Sequence, residues 1–500
     1  MASKIFMGDI PELLENILIN LNNEFYSLYS CALVNRYWCK ITIPILWKNP
    51  FSFNKNSLFI SQYFLSLDEN EKSVLKEYGI NIKFPDTLFN YARFLKVLDL
   101  SSLESKVKKW IEFQHICWYY SPLCYYIINL LFKLFVESGA TLHKLNIYFH
   151  EFKPEIYYSL ERNEQFFSQL QDLSLRGISD YSIENATILL KILAKNVTKI
   201  SALELEYYYD YGSEVNHALT NIIKSQEQLR KFTLVSGGGI TIEYFGIISA
   251  LESQKKSLQE VILENSADNA EFKVLMNCKN LETFRIKYCK KMKLLKILDT
   301  SHYKINTLEI TDCLNDTPSI IQILEKIGLL LQRLKLDFNG HETLLLLKAL
   351  KSFCPNITHL DISLIEFPTQ LLEFIGSLQK LQFLTLWHYD CIPKEEIKIR
   401  VNQFAEILPL TLQYIDLGNT WLNLYIDIWL NNCYAPLKSL LVDSLNNEKK
   451  ANAIIEFCIR KRTLKYVGLS NYSSLDDDDI KKEVEGYVTL VPSKDIIVIC

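Results

Sequence analysis

The residue patterns in this chain that could carry chemistry each lack a partner that the chemistry needs. His341-Glu342 begins like a zinc-protease helix, in which two histidines one turn apart hold the metal and the glutamate activates water. No second histidine follows at that spacing. Gly237-Gly238-Gly239 follows an expected strand, where a glycine-rich loop can cradle phosphate, but no Lys-Ser/Thr comes after it. A turn between strand and helix accounts for it. There is no Gly-x-Ser-x-Gly elbow, and the 8 histidines do not cluster with the 12 cysteines at metal-ligand spacing. Four successive aspartates, Asp476–Asp479, read as a solvated acidic loop. The expectation is a binding protein, with no catalytic residues, no cofactor and no metal.

The elements that would support binding are extensive. Of 500 residues, 49% are hydrophobic and 22% charged, enough apolar material for a large folded body. The formal net charge of -4 supplies no global field for nucleic acid or an anionic membrane. The first residues, MASKIFMGDIPELL, lack a basic segment followed by a long apolar core, so no signal peptide is expected. The most apolar stretch, from Ile116 to Val136, is interrupted by Ser121, Pro122, Asn129 and Lys133 and reads as buried helix rather than a membrane span. The cysteines form no CxxC pair and are expected to stay reduced, in the cytoplasm, the nucleus or both. On the same view the Asn-x-Ser/Thr triplets at Asn185, Asn196, Asn356 and Asn471 are chance matches.

One pattern recurs: apolar, two variable, apolar, one variable, apolar. It appears as LRKFTL from Leu229, LETFRI from Leu281, INTLEI from Ile305, LQRLKL from Leu331, ITHLDI from Ile357, LQFLTL from Leu381 and LQYIDL from Leu412. Weaker copies begin at Leu95, Leu142, Leu170, Ile200, Leu258, Leu437 and Leu464, which makes fourteen. From Leu142 on, the spacing averages about 27 residues, whereas Leu95 and Leu142 lie 47 apart, which marks an insertion or a degenerate copy. Two apolar residues at i and i+2 point to one face of a short strand. A 3.6-residue apolar period follows, as at Ile320, Ile323, Leu324 and Ile327, and predicts a helix. Neither element can bury its apolar side alone, so stacked copies must share one core. Cys289, Cys313 and Asn339 stand eight residues into three successive copies and read as short polar side chains bonding to the adjoining coil. The block resembles the leucine-rich repeat, LxxLxLxxN/C. The fold implied is α/β, a leucine-rich-repeat solenoid with a curved parallel sheet and outer helices.

Residues 10–47 differ. Ile10-Pro11-Glu12-Leu13-Leu14 opens a helix with proline at its first turn, and Leu14, Ile17, Leu18 and Leu21 form one apolar stripe. A second helix is expected from Glu24 to Leu33, and a third after Val34-Asn35-Arg36, carrying Tyr37, Trp38, Ile41 and Ile45. About forty residues rarely make a stable core alone, so this module needs a partner or the repeats to complete it. IPELLENILINL…LYSCALVNRYWCKITIPILW resembles an F-box, and with the repeats the chain is similar to F-box/leucine-rich-repeat proteins of the fungal type. It departs from the family pattern in two places: Glu12 follows Pro11 directly, and Ile10 stands for the usual leucine. The resemblance implies docking on a Skp-type adaptor, and through it on cullin and RING subunits, with Ile10, Pro11, Leu14, Ile17, Leu18, Leu28, Leu33 and Val34 supplying the apolar surface. The same residues have a second reading, as the module's own core. Trp38 and Trp47 are expected to hold the three helices together.

The organisation expected is therefore a helical module at 1–48, a helical linker and N-terminal cap at 49–93, about fourteen repeats over 94–475 with an insertion near 101–140, and a C-terminal cap at 476–500. On the strands, the outward positions Arg285, Lys335, Asp361, Trp387 and Asp416 are the candidates for gripping an unidentified protein substrate. Trp387 beside acidic positions suits a cationic or amphipathic segment, unless its own neighbours cover it. The function implied is substrate recognition for an SCF-type ubiquitin ligase. The alternative is a stand-alone repeat scaffold whose N-terminal helices are only a cap.

Overall fold

A computed structural model describes residues 11–21, 24–53, 57–80, 88–114, 120–148, 154–178, 182–207, 211–237, 243–266, 269–289, 304–313, 317–338, 342–364, 367–388, 394–418, 420–445, 447–470 and 478–498. Two units divide the chain: 1–232 with 244–254, and 233–243 with 255–500. Each of the fourteen LxxLxL blocks leads into a strand, and the first residue of every block is buried.

The first unit opens with helices α1 (Pro11–Ile19), α2 (Phe25–Ala32) and α3 (Arg36–Leu46). Asn35 caps α3 by accepting the Trp38 N–H at 2.9 Å. Leu14, Leu18, Leu28 and Leu46 close a small core, with Leu21, Trp38, Ile41 and Trp47 packed against it. Trp47 does more than hold the helices. It stacks on Tyr91 at 4.1 Å and meets Phe59 and Tyr63 edge-on, which seats the module on the following segment. That segment carries α4 (Glu69–Glu77), opened by a capping box between Asp68 and Glu71. It packs on α5 (Leu100–Phe113) and α6 (Tyr120–Glu137), the two helices that fill the long interval between the first two blocks. Lys133 pairs with Glu71 at 2.9 Å, and the Trp110 indole N–H donates to Ser61 at 3.0 Å. Among the described residues no helix is long and apolar enough to cross a membrane.

Strands β1 (Val97–Asp99), β2 (Lys144–Tyr148), β3 (Asp172–Arg176) and β4 (Ala202–Tyr207) pair in parallel, each with the next. The register aligns Leu145, Leu173 and Leu203 in one row and Leu175 with Leu205 in another, all buried. Outside the sheet lie α7 (Pro154–Arg162), α8 (Ile183–Asn196) and α9 (Ser213–Lys224). β5 (Lys231–Ser236) contains the unit boundary.

In the second unit, β6 (Glu260–Glu264), β7 (Thr283–Lys287), β8 (Thr307–Thr311), β9 (Arg333–Phe338), β10 (His359–Leu364), β11 (Phe383–His388), β12 (Tyr414–Asp416), β13 (Ser439–Val442), β14 (Tyr466–Leu469) and β15 (Thr489–Pro492) pair in parallel in chain order. Phe284, Leu308, Leu334, Leu360, Leu384, Ile415, Leu440, Val467 and Leu490 form a single buried row. Each such side chain contributes roughly 1.5–3 kcal/mol relative to leaving it in water. The helix expected after Ile305 is α10 (Thr317–Ile327), with Ile320, Ile323, Leu324 and Ile327 inside. α11 (Thr343–Phe353), α12 (Thr369–Ser377), α13 (Lys394–Ile407), α14 (Ile426–Asn432), α15 (Glu448–Lys461) and α16 (Asp478–Glu485) follow. The shortest repeat, Leu258 to Leu281, closes with a 3-10 turn at Ala270–Asn277 instead. The architecture is thus the α/β repeat solenoid that the periodicity implies.

One backbone device recurs at the mouths of β1 to β5 and β7 to β14. A single carbonyl accepts two successive N–H groups from the next coil. Lys48 O takes Lys96 and Val97 at 2.9 and 3.1 Å, Lys96 O takes His143 and Lys144, and His143 O takes Gln171 and Asp172. In the second unit Gln332 O takes Thr358 and His359, Thr358 O takes Gln382 and Phe383, and Gln382 O takes Gln413 and Tyr414. The first acceptor, Lys48, directly follows the helical module. Cys289 and Cys313 add side-chain contacts between coils, with Sγ 3.9 Å from Leu263 O and 3.8 Å from Ile286 O. Both thiols are free. The neighbouring Cys313 thiol and burial push the Cys289 thiol up, which keeps it protonated and structural. Asn339, Gly238, Gly239, His341, Asp476 and Asp477 lie outside the described residues.

Two buried glutamines complete the coil backbone in the first unit. Gln226 accepts the Ile200 N–H at 2.8 Å and donates to Val197 O, while Gln254 accepts the Leu229 N–H at 3.1 Å and donates to Ile223 O and Gln226 O. Substituting Gln254→Leu removes the side-chain partner of the Leu229 N–H and of Gln226 O in an apolar layer, while Ile223 O keeps the Gln226 N–H at 3.4 Å. It is expected to lower stability by on the order of 3 kcal/mol, read as a shift of the urea midpoint. The exposed Gln228→Leu is expected to change it little.

Candidate functional site

Two surfaces gather the sequence-selected residues, one in each unit. On the helical module, Leu14, Leu18 and Leu28 point inward. They close the module's own core, so the expectation that they meet an adaptor is corrected. A three-helix module has so little interior that it takes up these leucines together with Leu46. The other members of the stripe face outward: Ile17 is 48% exposed, Leu33 69% and Val34 58%, with Leu13, Tyr26 and Tyr29 also exposed. Ile10 lies outside the described residues, as does the side chain of Pro11.

In the second unit the parallel register turns alternate strand positions into rows. One row runs Arg285, Glu309, Lys335, Asp361, Thr385, Asp416 across β7 to β12. The next runs Asp337, Ser363, Trp387 across β9 to β11. Parallel strands lie about 4.8 Å apart, so residues adjacent in a row are within reach of one another. Signs alternate along the first row, and the charges pair: Arg285 with Glu309 at 3.6 Å, Lys287 with Glu309 at 3.3 Å, and Lys335 with Asp361 at 2.9 Å. Arg285 also approaches Glu260 at 4.0 Å. Arg285 and Lys335 are therefore half-buried members of ion pairs, where the sequence marks them only as exposed outward positions. Desolvation opposes the Lys335 ammonium, but Asp361, Glu309 and Asp337 outweigh it and its pKa is raised. Burial raises the Asp361 and Asp416 carboxyls.

The face is not open along its whole length. Near the end of the chain, Val498 N–H donates to the Tyr414 hydroxyl at 3.4 Å, and a Cβ on Gly468 would stand 2.9 Å from Ile496 Cδ1. The terminal segment thus lies over β12 and β14. Asp416 accepts the Gly418 N–H at 3.0 Å beside this covered part. Next to it the strand starts carry a stack of rings, His359 on Phe383 at 4.2 Å and Phe383 beside Tyr414. Burial, with Arg333 nearby, holds His359 down to about 4, so the imidazole there is neutral.

Between β7 and β11 the face opens into a depression of about 490 Å³, and Trp387 lines it rather than being covered by its neighbours. Its rim is shaped by an unusual backbone. Asn265, Tyr288 and Asp312, each just past a strand, are left-handed with φ of 54°, 56° and 51°. The Asn265 and Tyr288 N–H groups donate to Lys287 O and Thr311 O in the next coil. The Asp312 N–H meets a side chain instead, Asp337 Oδ2 at 3.0 Å. Asparagine and aspartate tolerate this conformation, so Asn265 and Asp312 carried a signal in the sequence; Tyr288 carried none. Among the described residues no group of three or more His, Cys, Asp or Glu is placed to hold a metal.

No family model matches the sequence, and no curated protein matches it. Among solved structures, the chain is similar to one from the complex of Rad7 and Elc1 in yeast, at 13% identity and a TM-score of 0.39, over 79% of this chain and 93% of that one. It is also similar to an LRR protein of Leptospira interrogans, at 14% identity and a TM-score of 0.32, over 71% of this chain and 97% of that one.

Burial pushes the Asp337 carboxyl up to about 6, with Asp312 and Asp361 adding to it against the Asp312 N–H and the Lys335 charge. A carboxyl whose folded pKa exceeds its unfolded value keeps its proton longer in the native state, so stability falls as pH rises from about 4 to about 6. Asp337→Asn removes that loss. After discounting for partial exposure, it is expected to raise stability at pH 7 by on the order of 1 kcal/mol and to have no effect at pH 4. Urea midpoints at the two pH values check this, and a variant less stable at pH 7 contradicts it.

Proposed function

We propose that this chain is a substrate-recognition subunit of an SCF-type ubiquitin ligase, acting by binding rather than catalysis. In this reading the N-terminal module docks on a Skp-type adaptor, and through it on cullin and RING subunits, while the strand face of the repeats grips the target protein. The observation that carries the reading is the division of the module's apolar residues. Leu14, Leu18 and Leu28 lie in its core with Leu46, and yet Ile17, Leu33 and Val34 stand in solvent. Apolar side chains grouped on a small module favour a protein surface. Their positions match the F-box resemblance residue by residue: Ile17 in the first-helix stripe, Leu33 and Val34 in the Leu-Val-Asn-Arg turn before α3. Such a chain would work in the cytoplasm, the nucleus or both.

A second reading has its own observation. Trp47 stacks on Tyr91, and Lys48 O accepts from the first strand, so the module also covers the open end of the first repeat. A stand-alone repeat scaffold would need such a cap and nothing more.

Copurification separates the two. Ile17→Asp with Val34→Asp places charge only on exposed positions and is expected to leave the chain folded while cutting capture of a coexpressed Skp-type adaptor at least about tenfold, or roughly 1.4 kcal/mol. Leu14→Asp is expected to unfold the module and serves as the contrasting control. Failure of the unsubstituted chain to copurify with adaptor, or undiminished capture by the double variant, favours the scaffold.

A further inference from the structure

We propose that the depression between β7 and β11 is a socket for an arginine side chain of the bound protein, an inference that rests on the strand face being the target-binding surface. The charges in the socket do not balance. Four carboxylates line it, Glu309, Asp312, Asp337 and Asp361, against two lysines, Lys287 and Lys335. Both lysines are already committed, Lys287 to Glu309 and Lys335 to Asp361. That leaves Asp312 and Asp337, held together by the Asp312 N–H, with no cation of their own among the described residues. Two adjacent carboxylates in a half-buried setting repel one another, and a guest cation relieves the repulsion.

A second observation is independent of charge. Thr311 also lines the depression, its side chain is more than nine-tenths buried, and its hydroxyl makes no hydrogen bond among the described residues. The hydroxyl oxygen meets the depression and can accept from a guest there. The polar atoms left without partners are thus carboxylate and hydroxyl oxygens, all able to accept, so the complementary guest is rich in donors and positively charged. Guanidinium presents five N–H donors in a plane, while ammonium presents three and holds its water more strongly. Trp387 forms one wall. An indole face attracts a guanidinium stacked on it, by the cation–π effect and by planar contact.

The probe is a fluorescein-labelled peptide of alternating serine and arginine, compared by anisotropy with the same peptide carrying citrulline, which keeps the shape and loses the charge. The full chain is expected to bind the arginine peptide at least about tenfold more tightly. Trp387→Ala and Asp337→Asn are each expected to remove most of that difference, with Trp387→Phe retaining part of it. Glu373→Gln, an exposed change on α12, is expected to leave it intact. Circular dichroism and thermal midpoints confirm that each variant is folded. Equal binding of the two peptides overturns the socket, and so does wild-type binding by both folded Trp387→Ala and Asp337→Asn. The strand-face reading fails on a different measurement. A photo-cross-linker at position 385, beside the socket on the same face, would then trap no protein from an extract.

Discussion

A shared carbonyl at the mouth of one strand after another is the constraint on which the rest of this protein is built. Backbone groups taken out of water must be paired, and a coil of a repeat protein cannot pair its own. Here one oxygen takes two successive N–H groups from the following coil, from Lys48 through Lys96 and His143 in the first unit and from Gln259 through Lys438 in the second. Where it occurs, that contact sets where the strand begins, and the parallel register follows from it. The leucine rows are aligned because the carbonyls are.

Alignment of the apolar rows on one face forces alignment of the polar rows on the other. The alternation of Arg285, Glu309, Lys335 and Asp361 becomes a set of cross-strand ion pairs only because the register brings these four residues side by side. Half-burial makes such pairing necessary, since a charge withdrawn from water without a partner is expensive. That row satisfies itself; the next one, which holds Asp337, does not. There the left-handed turn at Asp312 directs an N–H onto a carboxylate instead of a carbonyl, and the neutralisation breaks down. The face is least regular at Asp312 and Asp337, beside the ion pairs of β7 to β10 and short of the segment that covers β12 and β14.

The helical module obeys the same logic at a smaller scale. Three short helices can enclose only a few leucines, so the apolar stripe of α1 is divided: Leu14 and Leu18 go inside and Ile17 remains outside. Trp47 and Lys48 then tie the module to the segment behind it. An apolar surface held on a fixed support is already ordered before a partner arrives, which reduces the entropy lost on docking.

The sequence by itself determined the repeat, its fourteen strands and the period-3.6 helix at Ile320–Ile327, because the spacing of apolar residues is a property of the chain and each strand and helix has one greasy side. It also placed Cys289 and Cys313 as structural residues. Only the tertiary structure decided what depends on distant residues meeting. The burial of Gln226 and Gln254 is of this kind, for a lone polar residue in a sequence does not reveal which backbone groups it will satisfy. So is the split of the module's stripe between core and surface, since Leu14 and Ile17 look alike along the chain. So too are the ion pairs of Arg285 with Glu309 and of Lys335 with Asp361, which outward strand positions alone do not reveal. A local pattern specifies which face is apolar; which polar groups end up paired, and which are left waiting for a partner, is settled by register and packing.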